Sequence, residues 1–367
     1  MPIYMDRHDL TEDINADHVA KIHQEDLKVE HQFGCKGLTY WFDDKRKTAF
    51  CLIDAPNKKA LQDMHDHAHG AIPTNIIEVD PNLVESFLGR IEDPDKAKNT
   101  ELNFVNDPPY RILMVTGITN NAMFKSKSVA DKEYLQEFND SIIKQTVHFN
   151  GMLVKRKTNC LFVSFKSISD AILCAIEIQN QFKEFLSEDD NPGLKLKIGL
   201  NSGSPVTDKE KIFEDTIKLA ERLCNVVLGQ IVVSSEVKEL SESENLNLVT
   251  NDESLRALNR SDENFLNVLM DFTEKTWNST NLKVDDFSNN LGLSKSQLYR
   301  KIKSITGKSL NSFIKDYRMD KALVLLSNQK GNISEIAFET GFNSPAYFSK
   351  CFFETYGILP SQYLESA

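Results

Sequence analysis

"VDDFSNNLGLSKSQLYRKIKSITG", residues 284–307, is the stretch from which the fold reads outward. Val284, Phe287 and Leu291 recur at helical spacing, Gly292 interrupts them, and Leu298 and Ile302 resume the pattern. That spacing predicts a helix near 284–291, a turn, and a helix near 294–305, with these apolar side chains turned inward. Ser294 suits the N-cap of the second helix, where a hydroxyl can accept from an otherwise unpaired backbone N–H. The next residues, "SLNSFIKDYRMDKALVLLSN" (309–328), read as one long helix. Then the pattern returns. "NISEIAFETGF" (332–342) is a helix running into a turn at Gly341, and "NSPAYFSKCFFETYG" (343–357) is a second helix of the same kind.

The charge of this region is distinctive. Between Gly292 and Lys330 the bases are Lys295, Arg300, Lys301, Lys303, Lys308, Lys315, Arg318, Lys321 and Lys330, against only Asp316 and Asp320. The whole chain carries a net charge of −11, which alone speaks against nucleic acid. The distribution matters more than the sum: a solvated helix face could hold such a run, and phosphate contact is the sharper reading. Together with the paired units, "SEIAFETGFNSPAYFSKCFFETYGILPSQY" (334–363) resembles the AraC/XylS family of transcription regulators. The resemblance implies double-stranded DNA (a promoter or operator) as partner, a homodimer, RNA polymerase as a further candidate partner, and a nucleoid-associated place in the bacterial cytoplasm.

In such units the second helix enters the major groove and reads base edges from its N-terminal half. The groove-facing positions are then Ser296, Gln297, Tyr299 and Arg300 in the first unit, and Pro345, Ala346, Ser349 and Lys350 in the second. Arg300 can contact guanine and Gln297 adenine. Lys295, Lys301 and Lys303 are expected on phosphates, which position without specifying. Leu298, Ile302, Tyr347, Phe348 and Phe352 are assigned to the core.

The 367 residues suggest two or three domains, and composition is that of a globular protein: 40% hydrophobic, 26% charged. No run approaches the roughly 18 apolar residues of a membrane span, so no membrane partner is expected. "MPIYMDRHDL" lacks a basic-then-apolar signal pattern. The 6 Cys are scattered with no CxxC pair, which argues against a disulfide framework or a zinc ribbon and for a reducing cytoplasm. Two polar stretches, 91–110 and 240–263, read as linkers and cut the chain into segments 1–95, 108–240 and 260–367. The fold class expected is multidomain, α+β and then all-α.

The first segment holds seven of the 8 His, three of them in "MHDHAHG" (64–70). Its elements read strand, helix, strand, strand, helix, strand, the βαββαβ order of a ferredoxin-like fold. His65 and His69 are four apart and share a helix face, His67 points elsewhere, His23 lies on the apolar stripe of the first helix, and His8 ends the first strand. Imidazole suits Ni, Zn, Cu and Fe; a solvated His67 and a core His23 are the alternative. The stretches "YMDRHDL", "LTYWFDD", "TAFCLIDAP" and "MHDHAHGAIPTNIIEVD" resemble small bacterial nickel-binding proteins of ferredoxin-like fold. The resemblance implies Ni2+ or another transition metal, with His8, His23, His65 and His69 as candidate ligands, Asp6 or Asp9 completing the shell, and Cys35 a weaker candidate. An organic ligand is the other reading of this segment.

The middle segment reads β (111–116), α (129–149), β (152–156), β (160–165), α (168–186), β (194–201), α (212–226), β (230–234). "RILMVTGIT", "HFNGMLVKRKTNCLFVSF", "GLKLKIGLNSG" and "EDTIKLAERLCNVVLGQIVVSSEV" resemble the catalytic domain of class III nucleotidyl cyclases. That family holds two metal ions with two aspartates, needed for nucleotidyl transfer. Thr116 and Asn159 stand at those positions. Lys218 replaces an asparagine, and Arg222 keeps the arginine that meets transition-state charge. The departures imply a pseudo-cyclase that dimerises or binds a nucleotide without turning it over. The rival is a DNA-tethered enzyme making a cyclic nucleotide.

Overall fold

The computed structural model describes all residues except 95–104, 106, 121–128, 158–159, 189–193, 228, 230, 245–253 and 367. The chain opens with β1 (Ile3–Asp9), α1 (Ala16–Val29), β2 (Lys36–Asp43), β3 (Thr48–Asp54), α2 (Lys58–Ala68) and β4 (Asn75–Val79). These strands form an antiparallel sheet in the order β2-β3-β1-β4. α1 and α2 start at asparagine caps, Asn15 and Asn57, whose side chains accept from backbone N–H groups.

The β2 and β3 runs are almost uniformly apolar because both faces of the sheet are covered. Tyr4, Ala49, Cys51 and Ile53 face α1 and α2. Met5, Trp41, Phe50 and Leu52 face the other way, toward α3 (Pro81–Leu88) and toward Leu113, Val206 and Phe213 of the next segment. Fully burying a side chain of this kind contributes about 1.5–3 kcal/mol. α3 is an element beyond the expected βαββαβ order, although Asp80 as N-cap, Pro81 at the first turn and left-handed Gly89 at the end mark it.

The middle elements are β5 (Arg111–Asn120), α4 (Val129–His148), β6 (Met152–Lys157), β7 (Cys160–Phe165), α5 (Ile168–Glu188), β8 (Leu194–Gly203), α6 (Glu214–Val226), β9 (Ile231–Val233), α7 (Ser235–Ser243) and β10 (Leu255–Ala257). They build a mixed sheet ordered β10-β9-β8-β5-β7-β6. α4 and α5 cover one face with Phe138, Ile142, Ile172 and Ile178 over Ile112, Met114 and Leu200. α6 lies on the other face, Ala220 and Cys224 against Val115 and Phe162. The stretch 240–263 differs from a plain linker: Leu255–Ala257 pairs parallel with β9, and Leu258 is buried. Its local polarity hides two apolar anchors that only the tertiary sheet edge can use.

Buried Arg111 ties the first two sheets together. It donates to Phe87 O (3.1 Å) and Leu88 O (3.2 Å), and Ser164 Oγ also donates to Phe87 O (2.9 Å). The carbonyls left unpaired at the end of α3 thus find partners, and a cation sits at the negative end of a helix.

The last elements are all helical: α8 (Arg260–Thr276), α9 (Val284–Leu291), α10 (Lys295–Thr306), α11 (Leu310–Ser327), α12 (Ile333–Glu339), α13 (Pro345–Tyr356) and α14 (Pro360–Ser366). α9 turns into α10 at Gly292 (φ 64°), and α12 into α13 past Gly341 (φ 80°), conformations that cost an L side chain about 1–2 kcal/mol. α11 bridges two cores. Leu310, Phe313 and Ile314 join Phe287, Leu298, Ile302 and Leu269, while Met319, Ala322 and Leu326 join Ile336, Phe348 and Phe352. The first of these cores also takes in Leu223, Val227 and Val232 of the middle segment.

Candidate functional site

Alternation along β1 and β3 turns Asp6, His8 and Cys51 toward the helices, and all three are buried. α1 supplies Asp26; α2 supplies His65 and, at its C-cap, His69. His65 stands between them. Its Nε2 is 2.8 Å from Asp6 Oδ2, and its Nδ1 is 3.0 Å from Asp26 Oδ1. His69 Nε2 lies 3.1 Å from Asp26 Oδ1. On the far side, Asp6 Oδ1 accepts the Cys51 backbone N–H (2.9 Å) and lies 3.5 Å from His8 Nε2. Ligand atoms of Asp6, His8 and Cys51 fall within 4.8 Å of one another, as do those of Asp26, His65 and His69.

The electrostatics follow from this geometry. Burial opposes a charged His65, but its hydrogen bonds to Asp26 and Asp6 prevail and push it up to about 10, so the metal-free ring is an imidazolium. Burial likewise works against a charged Asp6, and the His8 charge with the His65 and His8 hydrogen bonds holds its carboxyl well below the usual range. Asp26 is lowered against its burial by His65 and His69. The Cys51 thiol is pushed well up by burial and by the carboxylates of Asp6 and Asp26.

Three of the four expected histidines, His8, His65 and His69, meet here. His23 does not. Its Nε2 is 3.5 Å from Asp93 Oδ2 and its ring leans on Tyr40, because the α1 stripe carries it toward β2 rather than α2. Asp9 is drawn off by Arg7 (2.8 Å) at an exposed strand end, and Cys35 donates to Phe33 O. Asp26 and Cys51 were missed. Asp26 lies three residues beyond His23 on α1, a signal that was there to use; Cys51 sits in an apolar strand and reads as core.

In the middle segment Thr116 is fully buried and uncharged, while Asn159 lies outside the described residues. Lys218 and Arg222 turn toward α8. Lys218 Nζ is 2.8 Å from Asp271 Oδ1; Arg222 donates to Asn267 Oδ1 (2.7 Å), Asp271 Oδ1 (2.5 Å) and Glu274 Oε1 (3.1 Å).

In the first helical unit Lys295, Ser296, Gln297, Tyr299, Arg300 and Lys303 are exposed along α10. Ser294 is its N-cap, in a reciprocal capping box with Gln297. The Gln297 Oε1 accepts from Ser294 N (3.0 Å) and Oγ (2.8 Å), so the amide oxygen is already engaged in the cap. Lys303 donates to Gly307 O, and Lys295 pairs with Asp285 (2.6 Å) at the surface. Lys301 departs from its expected phosphate role, being half-buried and paired with Asp262 (2.9 Å) of α8.

In the second unit Ala346 and Lys350 are exposed, Pro345 and Ser349 half-buried. The core assignment holds for Leu298, Ile302, Phe348 and Phe352 and fails for Tyr347, which is 57% exposed. Phe348, Cys351, Phe352 and Tyr356 already fill the buried stripe of α13, and Tyr347 lies about 100° away from it.

Comparison with known proteins bears on both ends. Residues 4–79 match the family model described as "Nickel responsive protein SCO4226-like", and residues 287–366 match "Helix-turn-helix domain". "Histidine kinase P4" of Formosa agariphila is 40% identical over 102 residues, 28% of this chain and 7% of that protein. The "Msm operon regulatory protein" of Streptococcus mutans is 32% identical over 109 residues, covering 30% of this chain and 39% of its own length. The crystal structure of SCO4226 from Streptomyces coelicolor aligns with 32% identity and a TM-score of 0.20, over 21% of this chain and 94% of that one. Residues 4–79 are thus similar to the SCO4226-like family and residues 287–366 to a helix-turn-helix domain. It spans well under half the length of the curated relatives named.

Proposed function

We propose that this protein is a sequence-specific DNA-binding transcription regulator whose N-terminal domain binds a transition metal and conveys its occupancy to the DNA-binding end. The observation that carries the reading is the repeated capped helix. α10 runs from Ser294 to left-handed Gly307 and α13 from Ser344 to left-handed Gly357, each with an exposed base at its sixth position, Arg300 and Lys350, and exposed residues ahead of it, Ser296, Gln297 and Tyr299 in α10 and Ala346 and Tyr347 in α13. Arg300, Ser296 and Tyr299 read bases in one groove segment, and Ala346, Ser349 and Lys350 in the next; Lys295 and Lys303 meet phosphates. Among the described residues no helix is long and apolar enough to cross a membrane.

The N-terminal domain is read as ferredoxin-like, from its element order and sheet order. Its residues fit a metal ion. Asp26, His65 and His69 converge, and Asp26 Oδ2 is buried with no hydrogen-bond partner. These three would hold Ni2+ or a similar ion, which supplies positive charge in a site where carboxylates outnumber the imidazolium. Asp6 orients His65 through the opposite ring nitrogen, and loading displaces the His65 proton.

The middle domain is read as a degenerate cyclase fold without turnover. Thr116 offers no carboxylate, and the arginine that would meet transition-state charge is held by Asn267, Asp271 and Glu274. Dimerisation through this domain, implied by the cyclase resemblance, is read from the mass of the full chain in solution. Incubation with ATP or GTP and Mn2+ should give no cyclic nucleotide; turnover would contradict the reading.

Selection from a random DNA pool tests the core proposal. The full chain should enrich one motif, and the Arg300→Ala/Lys350→Ala variant, with unchanged circular dichroism, should not. Failure of the native chain to enrich any motif would reject it.

A further inference from the structure

The group Asp6, His8 and Cys51 is left over once one ion is placed at Asp26, His65 and His69. We infer that the domain holds two transition-metal ions, with the His65 imidazole as the ligand shared between them. This rests on the metal-binding reading above and extends it.

Three observations converge. His65 is fully buried, and its ring nitrogens face different groups: Nδ1 toward Asp26 and His69, Nε2 toward Asp6. The His8 ring stands edge-on to His65, centroids 5.0 Å apart, which brings a further imidazole to the Nε2 side. The leftover group is also a mixed set of donors from two adjacent strands: a carboxylate, an imidazole and a thiol, exposed by 0%, 7% and 6%. Thiolate and imidazole select Ni, Co or Zn over Mg or Ca.

Charge argues the same way. Asp6 and Asp26 are both buried carboxylates, 2.8 Å and 3.0 Å from the two His65 ring nitrogens, and a buried charge left uncompensated is costly. Loading exchanges protons for metal with a simple balance. Cys51 releases its thiol proton as the metal–sulfur bond forms, and His65 gives up whatever protons its ring nitrogens carry as two metal–nitrogen bonds form; these protons pass to solvent.

The competing arrangement is a single ion at Asp26, His65 and His69, with Asp6 only holding the His65 ring. Titration of the metal-free full-length chain with Co2+ under reducing, anaerobic conditions separates the two. The expected result is two tightly held ions per chain by elemental analysis, one of them bringing a near-ultraviolet thiolate-to-cobalt absorption band. Cys51→Ser should lose that band and bind one ion. His69→Ala should also bind one ion yet keep the band, and this variant decides the question even if Cys51→Ser misfolds. One ion per chain with no thiolate band would overturn the shared-ligand site and leave the single-ion reading standing. No ion at all would remove both.

Discussion

His65 is the residue on which the N-terminal domain turns. In the metal-free chain its pKa stands at about 10 against an ordinary 6.5, because two carboxylates hold the charged ring. A raised folded value means stability that is fully present below about pH 6.5 and drains away as pH climbs toward 10, at up to about 1.4 kcal/mol per unit. Urea midpoints of metal-free protein should fall across that window; a flat profile would contradict the buried imidazolium. At the DNA-binding end, Arg300→Ala should cost about 1–3 kcal/mol and relax preference at one base position, while Lys295→Ala should weaken all sequences alike and lower the salt slope by about one. Anisotropy titrations at several salt concentrations distinguish them. His65, His69 and Arg300 were legible in the sequence because helical spacing fixes which residues share a face. Asp26, Cys51 and the diversion of His23 to Asp93 were not, since they depend on how α1 crosses the sheet.

At the scale of elements, the helix-turn-helix units show most clearly how sequence specifies structure. Local signals agree at every step: the Ser294 and Ser344 caps, the helical apolar stripes, and the left-handed glycines that close α9, α10 and α13. Gly292→Ala places a Cβ in open space but at φ 64°, so it should lower stability by about 1–2 kcal/mol through backbone strain alone, read as a shift of the unfolding midpoint. No loss would mean that the turn relaxes. Element order was legible for the same reason along both sheets. β10 and the extent to which the cores merge were not, because a three-residue strand and a shared core leave little periodic trace.

Across the whole molecule the aspartate–histidine cluster and the helix-turn-helix units are joined by contiguous contacts. β1 turns Asp6 and His8 to the cluster, and its alternate residue Arg7 donates to Val206 O (3.3 Å) in the loop ahead of α6. Asn75 of β4 donates to Thr207 O (2.6 Å) in the same loop. α6 then grips α8 through Lys218 and Arg222, and α8 packs in the core of the first helix-turn-helix unit. Position alone does not make a relay; differential affinity of two states does. Arg222→Ala should therefore leave metal binding intact, speed hydrogen exchange across 260–276, and reduce the effect of metal on DNA affinity. An Arg222→Ala protein with native exchange and native response would exclude this grip as the link.

The affinity of the full chain for its selected DNA motif, measured metal-free and Ni2+-loaded at fixed salt, decides whether the two ends are coupled. The dissociation constant should change at least about fivefold on loading, the lower end of ordinary coupling between sites, and His65→Ala/His69→Ala should abolish the change while still binding DNA. Equal affinity in the two states, on protein shown to hold the metal, would contradict it.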